Sequence, residues 1–240
     1  MGNKGIYFIG VSNGLKPQYI IEKYLENPAF QGNTEDICYI TDDSKGMAVE
    51  FCEKMGIRII IVDPYKMESA ISIIKSQNPQ LLIAIGWSYR IPKNFLDVFT
   101  MGAINCHGGL LPDYRGNNVY MHNYANISEN YGATIHFMNQ DFDDGNIIVQ
   151  ASAKLYLEET PLILHRRICE MTAWILPQAI ALVSSGYRGK KQVGKARYFY
   201  KIDRITMEKI RQTNIERIMK QEEKNITNHK EWYIKEGDEN

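Results

Sequence analysis

The chain has 240 residues with 28 basic and 28 acidic side chains, a formal net charge of zero and an apolar fraction of 44%. That length accommodates one large domain, or a domain with a small annex, of ordinary soluble globular composition. The charge balance excludes a global field that would draw the chain to nucleic acid or to an anionic membrane. The longest apolar runs, such as Leu81 to Ile85, are too short to span a bilayer.

From the start of the chain, Met1-Gly-Asn-Lys-Gly5 opens directly into a strand-like run, without the apolar segment and small-residue cleavage site of a secretory signal. A reducing cytoplasm is therefore expected. The four cysteines (Cys38, Cys52, Cys106 and Cys169) show no C-x-x-C pair and no metal-type spacing, so reduced, mostly buried thiols are expected. Gly5 to Ile9 reads as a buried strand, followed by a loop at Gly10 to Gly14 and a helical stripe over Gln18 to Glu26. Strands at Asp36–Ile40, Arg58–Val62 and Gln80–Ile85 alternate with helices at Ser44–Met55 and Met67–Ser76. Continuous β-branched runs separated by helices of about ten residues predict βαβ units. The expected fold is α/β, a Rossmann-like, open, mostly parallel sheet with helices on both faces.

The pattern changes after Ile91-Pro92, which opens another helix. Gly102 to Cys106 is a fifth strand running into His107-Gly-Gly, and a turn-rich stretch leads to a helix ending near Ala125. Extended segments at 132–138 and 146–157 flank a loop at Asn139 to Gly145. Thr160-Pro161 supplies an N-cap and a proline at the first helical position for a long helix to about Ser185, which Pro177 should kink. Beyond Gly186 a basic, aromatic stretch suits a short strand or hairpin, and residues 207–219 carry a helical stripe. The polar tail offers Trp232 and Tyr233 as an anchor. The expected division is a domain over 1–188 and a short strand-plus-helix extension over 189–240.

Asn105 and His107 stand two apart at the end of a predicted strand, so amide and imidazole share one face, and Cys106 points away. In an open α/β sheet that face reaches the crevice beyond the strand C-termini, where ligands bind. Read alone, such a histidine can simply satisfy a backbone carbonyl. Asp141, Asp143 and Asp144 read alone as a polar turn, and His136 and His165 as structural residues within a strand and a helix. Gly86-Trp-Ser-Tyr-Arg90 lacks the final glycine of a serine-hydrolase nucleophile elbow. His107, His122 and the acids match no zinc-ligand spacing, and Gly10-Val-Ser-Asn-Gly14 fails the dinucleotide fingerprint.

The block from Asn105 to Gly116, with Leu110, Leu111, Pro112 and Arg115 between, followed by Asp143 and Gly145, resembles the folate-dependent formyltransferase family. The likeness takes in Gly86-Trp-Ser88, Ile91-Pro92 and Gly132 to Ile135, and extends roughly over residues 5–200. Gly109 departs from it, standing where the family usually has serine. The resemblance implies a formyl donor, 10-formyltetrahydrofolate, held by Trp87, Ser88, Tyr89, Arg90, Ile91, Asn139, Asp141 and Asp143, with no metal. It also implies a catalytic set. Attack of an amine on the formyl carbon creates an oxyanion and a protonated nitrogen. Neutral His107 would take the proton, Asn105 would donate to the oxyanion, and Asp143 would stabilise the imidazolium.

Family members differ in the amine they formylate. A short extension ending in Gly194-Lys-Ala-Arg-Tyr-Phe-Tyr200, with the Gly-Trp-Ser and Ile-Pro stretches, most resembles the sugar-nucleotide N-formyltransferases. The expected acceptor is a dTDP-linked amino-dideoxy sugar, dTDP-4-amino-4,6-dideoxyglucose, for O-antigen or other surface polysaccharide synthesis. The 3-amino isomer, glycinamide ribonucleotide and methionyl-tRNA are the alternatives, and a folate- or nucleotide-sensing module is the non-enzymatic one. Ser12, Asn13, Gly109, Arg115, Tyr198 and Tyr200 are the candidate acceptor contacts. Neither nucleic acid nor a membrane is expected as a partner, and a homodimer is expected.

Overall fold

A computed structural model describes residues 5–27 and 33–237, with side chains described as far as 221. The anchor expected of Trp232 and Tyr233 lies outside the described side chains. Strands β1 (Ile6–Ile9), β2 (Ile37–Thr41), β3 (Arg58–Ile61), β4 (Leu81–Ala84), β5 (Gly102–His107), β7 (Asn130–Phe137) and β8 (Ile147–Lys154) form one sheet in the order β3-β2-β1-β4-β5-β7-β8. The first five are parallel to one another. Strands β7 and β8 then return antiparallel as a hairpin against β5. This is the mostly parallel α/β sheet that the β-branched runs predict. The order reverses at β1, which is flanked by β2 on one side and β4 on the other, and ligand crevices open at such a point.

The apolar runs are continuous because both faces are covered. On β1, Ile6 and Phe8 join one core cluster with α1 (Leu15–Glu26), α2 (Met47–Lys54) and α6 (Pro161–Ser184). Tyr7 and Ile9 join the other, built on Met67, Ala70, Ile74, Phe95 and Phe99. Ile9, Ile20, Ile37, Ile40 and Ile83 are fully buried, each contributing about 1.5–3 kcal/mol. All four cysteines are buried and free. Helix α6 starts as its sequence predicts, with Thr160 Oγ1 accepting the Ile163 N–H at 3.3 Å and Pro161 in the first turn. It continues as one helix through Pro177, where the proline leaves the Ala173 carbonyl without its usual intrahelical donor. The helix expected over 67–76 divides into a 3-10 turn at Met67–Ala70 and α3 (Ile71–Lys75). The helix after Pro92 is the single turn α4 (Lys93–Leu96).

Among the described residues after Gly186, the short strand of the two expected forms is present rather than the hairpin. Lys190 makes a two-bond bridge to Ile147, and β9 (Tyr198–Phe199) pairs in parallel with β6 (Arg115–Gly116), far back in the chain. Helix α7 (Arg204–Gly237) is longer than its apolar stripe suggests. It docks on α5 (Val119–Asn126) through Arg211, which donates to the Tyr124 and Leu157 carbonyls at 2.7 Å each and lies over the Tyr124 ring. No helix among the described residues is long and apolar enough to cross a membrane.

Candidate functional site

The end of β5 brings the chemistry together. Ala103, Asn105 and His107 follow one another on one face of the strand, while Ile104 and Cys106 turn into the opposite core. The antiparallel pairing of β7 sets His136 across from Asn105 and Thr134 across from His107. The Asp143 turn closes over this pair. Its Oδ1 lies 3.3 Å from His107 Nδ1, accepts the Asn105 amide at 3.3 Å, and is 3.6 Å from His136 Nε2.

His107 is 6% exposed, and its Nε2 is 2.5 Å from the Tyr114 carbonyl. A carbonyl only accepts, so the neutral ring carries its hydrogen on Nε2 and leaves the Nδ1 lone pair beside Asp143. His136 is held the other way round, donating from Nδ1 to the Phe137 carbonyl at 2.8 Å and accepting the Asn105 amide on Nε2 at 3.2 Å. Both amide hydrogens of Asn105 are thus engaged, and donation to a developing oxyanion requires one of these long contacts to be released.

Burial pushes His107 down to about 4, against the opposing pull of Asp143, so the ring is neutral at pH 7. Burial acts to raise Asp143, but His107 and the Gly116 N–H outweigh it and hold the carboxyl at about 2. A neutral base beside an ionised acid is the pairing that proton abstraction followed by charge stabilisation requires. Asp143 has a backbone φ of 54°, and its Oδ2 accepts the Gly116 N–H at 2.9 Å. Gly116 is needed there: at φ +105° a Cβ would stand 2.0 Å from the Phe199 carbonyl oxygen.

These side chains line a cavity of about 430 Å³, within the range of small-molecule sites. The segment Gly86 to Ile91 forms one wall and Met138 to Asp143 another, with Tyr198 and Tyr200 also lining it. All eight residues expected at the donor, Trp87, Ser88, Tyr89, Arg90, Ile91, Asn139, Asp141 and Asp143, therefore line one space. Of the six expected at the acceptor, only Tyr198 and Tyr200 do. Ser12 is drawn aside, its N–H donating to Asp42 Oδ1 at 2.8 Å and its carbonyl accepting the Ala48 N–H at 3.1 Å, and Asn13 follows it. Arg115 is taken up by Asp144 at 2.5 Å and Gln192 at 2.7 Å. Gly109 lies behind the imidazole, where a Cβ would be 2.7 Å from the Tyr114 carbonyl oxygen and 3.0 Å from His107 Nε2.

The cavity also holds residues that pattern reading passes over. His136, expected to be structural, contacts both Asn105 and Asp143, and the signal for it is the register of β7, which a single sequence does not carry. Lys16 reaches in from the first turn of α1 to donate to the Cys106 carbonyl at 2.7 Å. His165, also expected to be structural, lines the far side against the Tyr120 ring, and burial lowers its pKa. Among the described residues no group of three or more His, Cys, Asp or Glu is arranged to hold a metal ion.

The site is thus a buried neutral histidine, an ionised aspartate and an amide gathered beyond the C-terminal ends of the strands of an open α/β sheet. Residues 34–180 match the family described as formyl transferase, and the chain belongs to that family. Methionyl-tRNA formyltransferase of Halothermothrix orenii is 27% identical over 157 residues, covering 65% of this chain and 50% of that protein. The chain spans about half the length of the curated relatives it matches. Among solved structures, glycinamide ribonucleotide transformylase 1 of Symbiobacterium toebii has a TM-score of 0.68 at 21% identity, covering 81% of this chain and 96% of the other. The N-formyltransferase of Helicobacter canadensis, in complex with folinic acid and dTDP-3-aminofucose, has a TM-score of 0.64 at 17% identity, covering 83% and 72%. These likenesses extend the fold assignment to most of the chain.

Proposed function

We propose that the chain is an N-formyltransferase that moves a formyl group from 10-formyltetrahydrofolate to the amino group of a dTDP-linked amino-dideoxy sugar, with a 4-amino-4,6-dideoxyglucose as first choice and the 3-amino isomer second. The observation that carries this reading is the convergence of Asn105, His107 and Asp143 in the same cavity as the Gly86–Ile91 and Met138–Asp143 walls. The cavity suits a heteroaromatic donor. Trp87 and Tyr89, with ring centroids 5.2 Å apart, give it an aromatic wall. Bound there, 10-formyltetrahydrofolate would supply an activated formyl carbon. His107 Nδ1 would accept the proton of the attacking amine and return it to N10 as the formyl C–N10 bond breaks and tetrahydrofolate leaves, with Asp143 stabilising the imidazolium between the two steps. Asn105 turns one amide hydrogen to the formyl oxygen as negative charge develops on it.

Two features favour a sugar nucleotide as acceptor. Tyr198 and Tyr200, with ring centroids 5.2 Å apart, present an aromatic surface suited to a nucleotide base at the cavity. The Ser12 N–H, a donor that a phosphoribosyl group bound at the first loop would require, is instead held by Asp42. The neutral charge balance weighs against a transfer RNA. A homodimer in the cytoplasm completes the reading, supported by the exposed Ile205, Ile218 and Met219 on α7 and checked by gel filtration.

The test is a formyl-transfer assay with 10-formyltetrahydrofolate and three amines, a dTDP-amino sugar, glycinamide ribonucleotide and methionyl-tRNA, together with thermal shifts in dTDP. Transfer to the sugar and stabilisation by dTDP are expected. Transfer to another of these amines instead would overturn the acceptor assignment, and transfer to none of them the enzymatic one.

A further inference from the structure

The turn that carries Asp143 is held from outside the segment matched by the family, by one side chain. Gln192 Nε2 donates to the Asp143 carbonyl at 2.8 Å and to the Gly145 carbonyl at 2.9 Å, while its Oε1 accepts from Arg115 at 2.7 Å. Arg115 in turn binds the carboxylate of Asp144 at 2.5 Å. Three successive residues of the turn are therefore fixed by one glutamine–arginine pair. Every hydrogen-bonding direction of the Gln192 amide that these contacts use points at the turn or at its other clamp.

This restraint has something to resist. Asp143 adopts a left-handed backbone (φ 54°) that residues with a side chain rarely populate, and its carboxylate is buried against His107. Arg115 holds its place although its Nε is buried without a hydrogen-bond partner, a cost that marks the arrangement as specific. The Gln192 backbone is itself located by the two-bond bridge between Lys190 and Ile147, two residues before it.

We propose that Gln192 is a positioning residue for the reaction, holding the 143–145 turn so that the Asp143 carboxylate stays on His107. It acts through Asp143 and touches no reacting atom. The inference rests on the formyl-transfer reading for its consequence in turnover, but the placement of Asp143 has an independent readout in the His107 ring. The groups facing that ring are Asp143, His136, Lys16 and the Tyr114 carbonyl.

The experiment compares the full chain with Gln192→Leu, which keeps the shape and removes both donors and the acceptor. A second variant, Gln192→Glu, keeps an acceptor for Arg115 but turns oxygens on the two carbonyls. For both, kcat should fall on the order of tenfold to a hundredfold, with the KM for 10-formyltetrahydrofolate changed less, because Gln192 holds only the 143–145 end of one donor wall and does not touch Gly86–Ile91. The His107 ring, followed by NMR through a pH titration, should titrate lower still, because a displaced Asp143 carboxylate no longer opposes the burial that pushes it down. A folded Gln192→Leu protein with unchanged kcat and unchanged His107 titration would overturn the proposal. If the wild-type chain transfers no formyl group to any acceptor, the functional reading fails, and the NMR titration alone decides the role of Gln192.

Discussion

The Nδ1 atom of His107 and the Oδ1 atom of Asp143 lie 3.3 Å apart, in a pocket where the imidazole is 6% and the carboxylate 10% exposed. The far nitrogen of the same ring is anchored on the Tyr114 carbonyl. The imidazole therefore has one defined tautomer when neutral and two acceptors when protonated, so taking up a proton completes its hydrogen bonding. The predictions below follow from this relationship and its supports.

Replacing either member should separate binding from chemistry. His107→Ala is expected to lower kcat by roughly a hundredfold to ten-thousandfold with little change in the KM of the donor. Asp143→Asn keeps an acceptor for the Gly116 N–H but removes the charge that stabilises imidazolium, and should lower kcat by roughly a hundredfold or more. Steady-state formyl transfer checks both. A His107→Ala protein with full turnover would exclude the proposed mechanism.

Acid should affect activity and stability in the same direction. Because His107 must be neutral to accept a proton, and burial pushes it to about 4, the acid limb of kcat/KM is expected near pH 4 rather than near 6.5. For stability, between about pH 6.5 and 4 the unfolded chain binds a proton at His107 that the folded chain does not. Stability therefore falls as pH is lowered through that window, by at most about 3 kcal/mol. Asp143, depressed to about 2, adds stability above the ordinary carboxylate range that is lost as pH falls towards 2. Thermal melts from pH 7 to 4 should show a shallower pH dependence in His107→Gln than in the wild type.

Restoring the serine usual in the family at position 109 should be harmful here. The new Cβ would meet the Tyr114 carbonyl oxygen at 2.7 Å, Val119 Cγ2 at 2.9 Å and His107 Nε2 at 3.0 Å, crowding the bond that orients the imidazole. Gly109→Ser is expected to cost about 1–3 kcal/mol of stability and to lower kcat. Chemical denaturation and turnover assays would detect this, and a variant as stable and active as wild type would contradict it.

The tyrosine pair should matter to one substrate alone. Tyr198→Ala and Tyr200→Ala, at side chains 44% and 76% exposed, are expected to raise the KM of the acceptor several-fold while leaving that of the donor and the melting temperature nearly unchanged. Initial rates with each substrate varied in turn would reveal the split, and equal effects on both substrates would argue against nucleotide stacking.

The parallel sheet was legible because its evidence is local. Strands such as Leu81–Ala84, buried on both faces, read as unbroken apolar runs, and helices of about ten residues between them leave few topologies. Asn105 and His107 were legible for the same reason, since a period of two assigns them to one face from the backbone alone. The role of His136 was not, because alternation gives its face but not which residue of β5 lies opposite. Ser12 and Asn13 follow β1 as a ligand loop would, and only the packing of that loop on Asp42 and Ala48 turns it from the cavity.

What the sequence determined by itself is thus the set of elements and the residue types offered at the ends of β4 and β5, because hydrophobic periodicity and strand alternation act over a few residues. Tertiary structure alone decided that Lys16, His136 and His165 share a cavity with His107, and that Gln192 holds the turn of Asp143 across 49 positions. Those contacts depend on register, helix docking and loop course, which are set when the whole core closes rather than by any short stretch of chain.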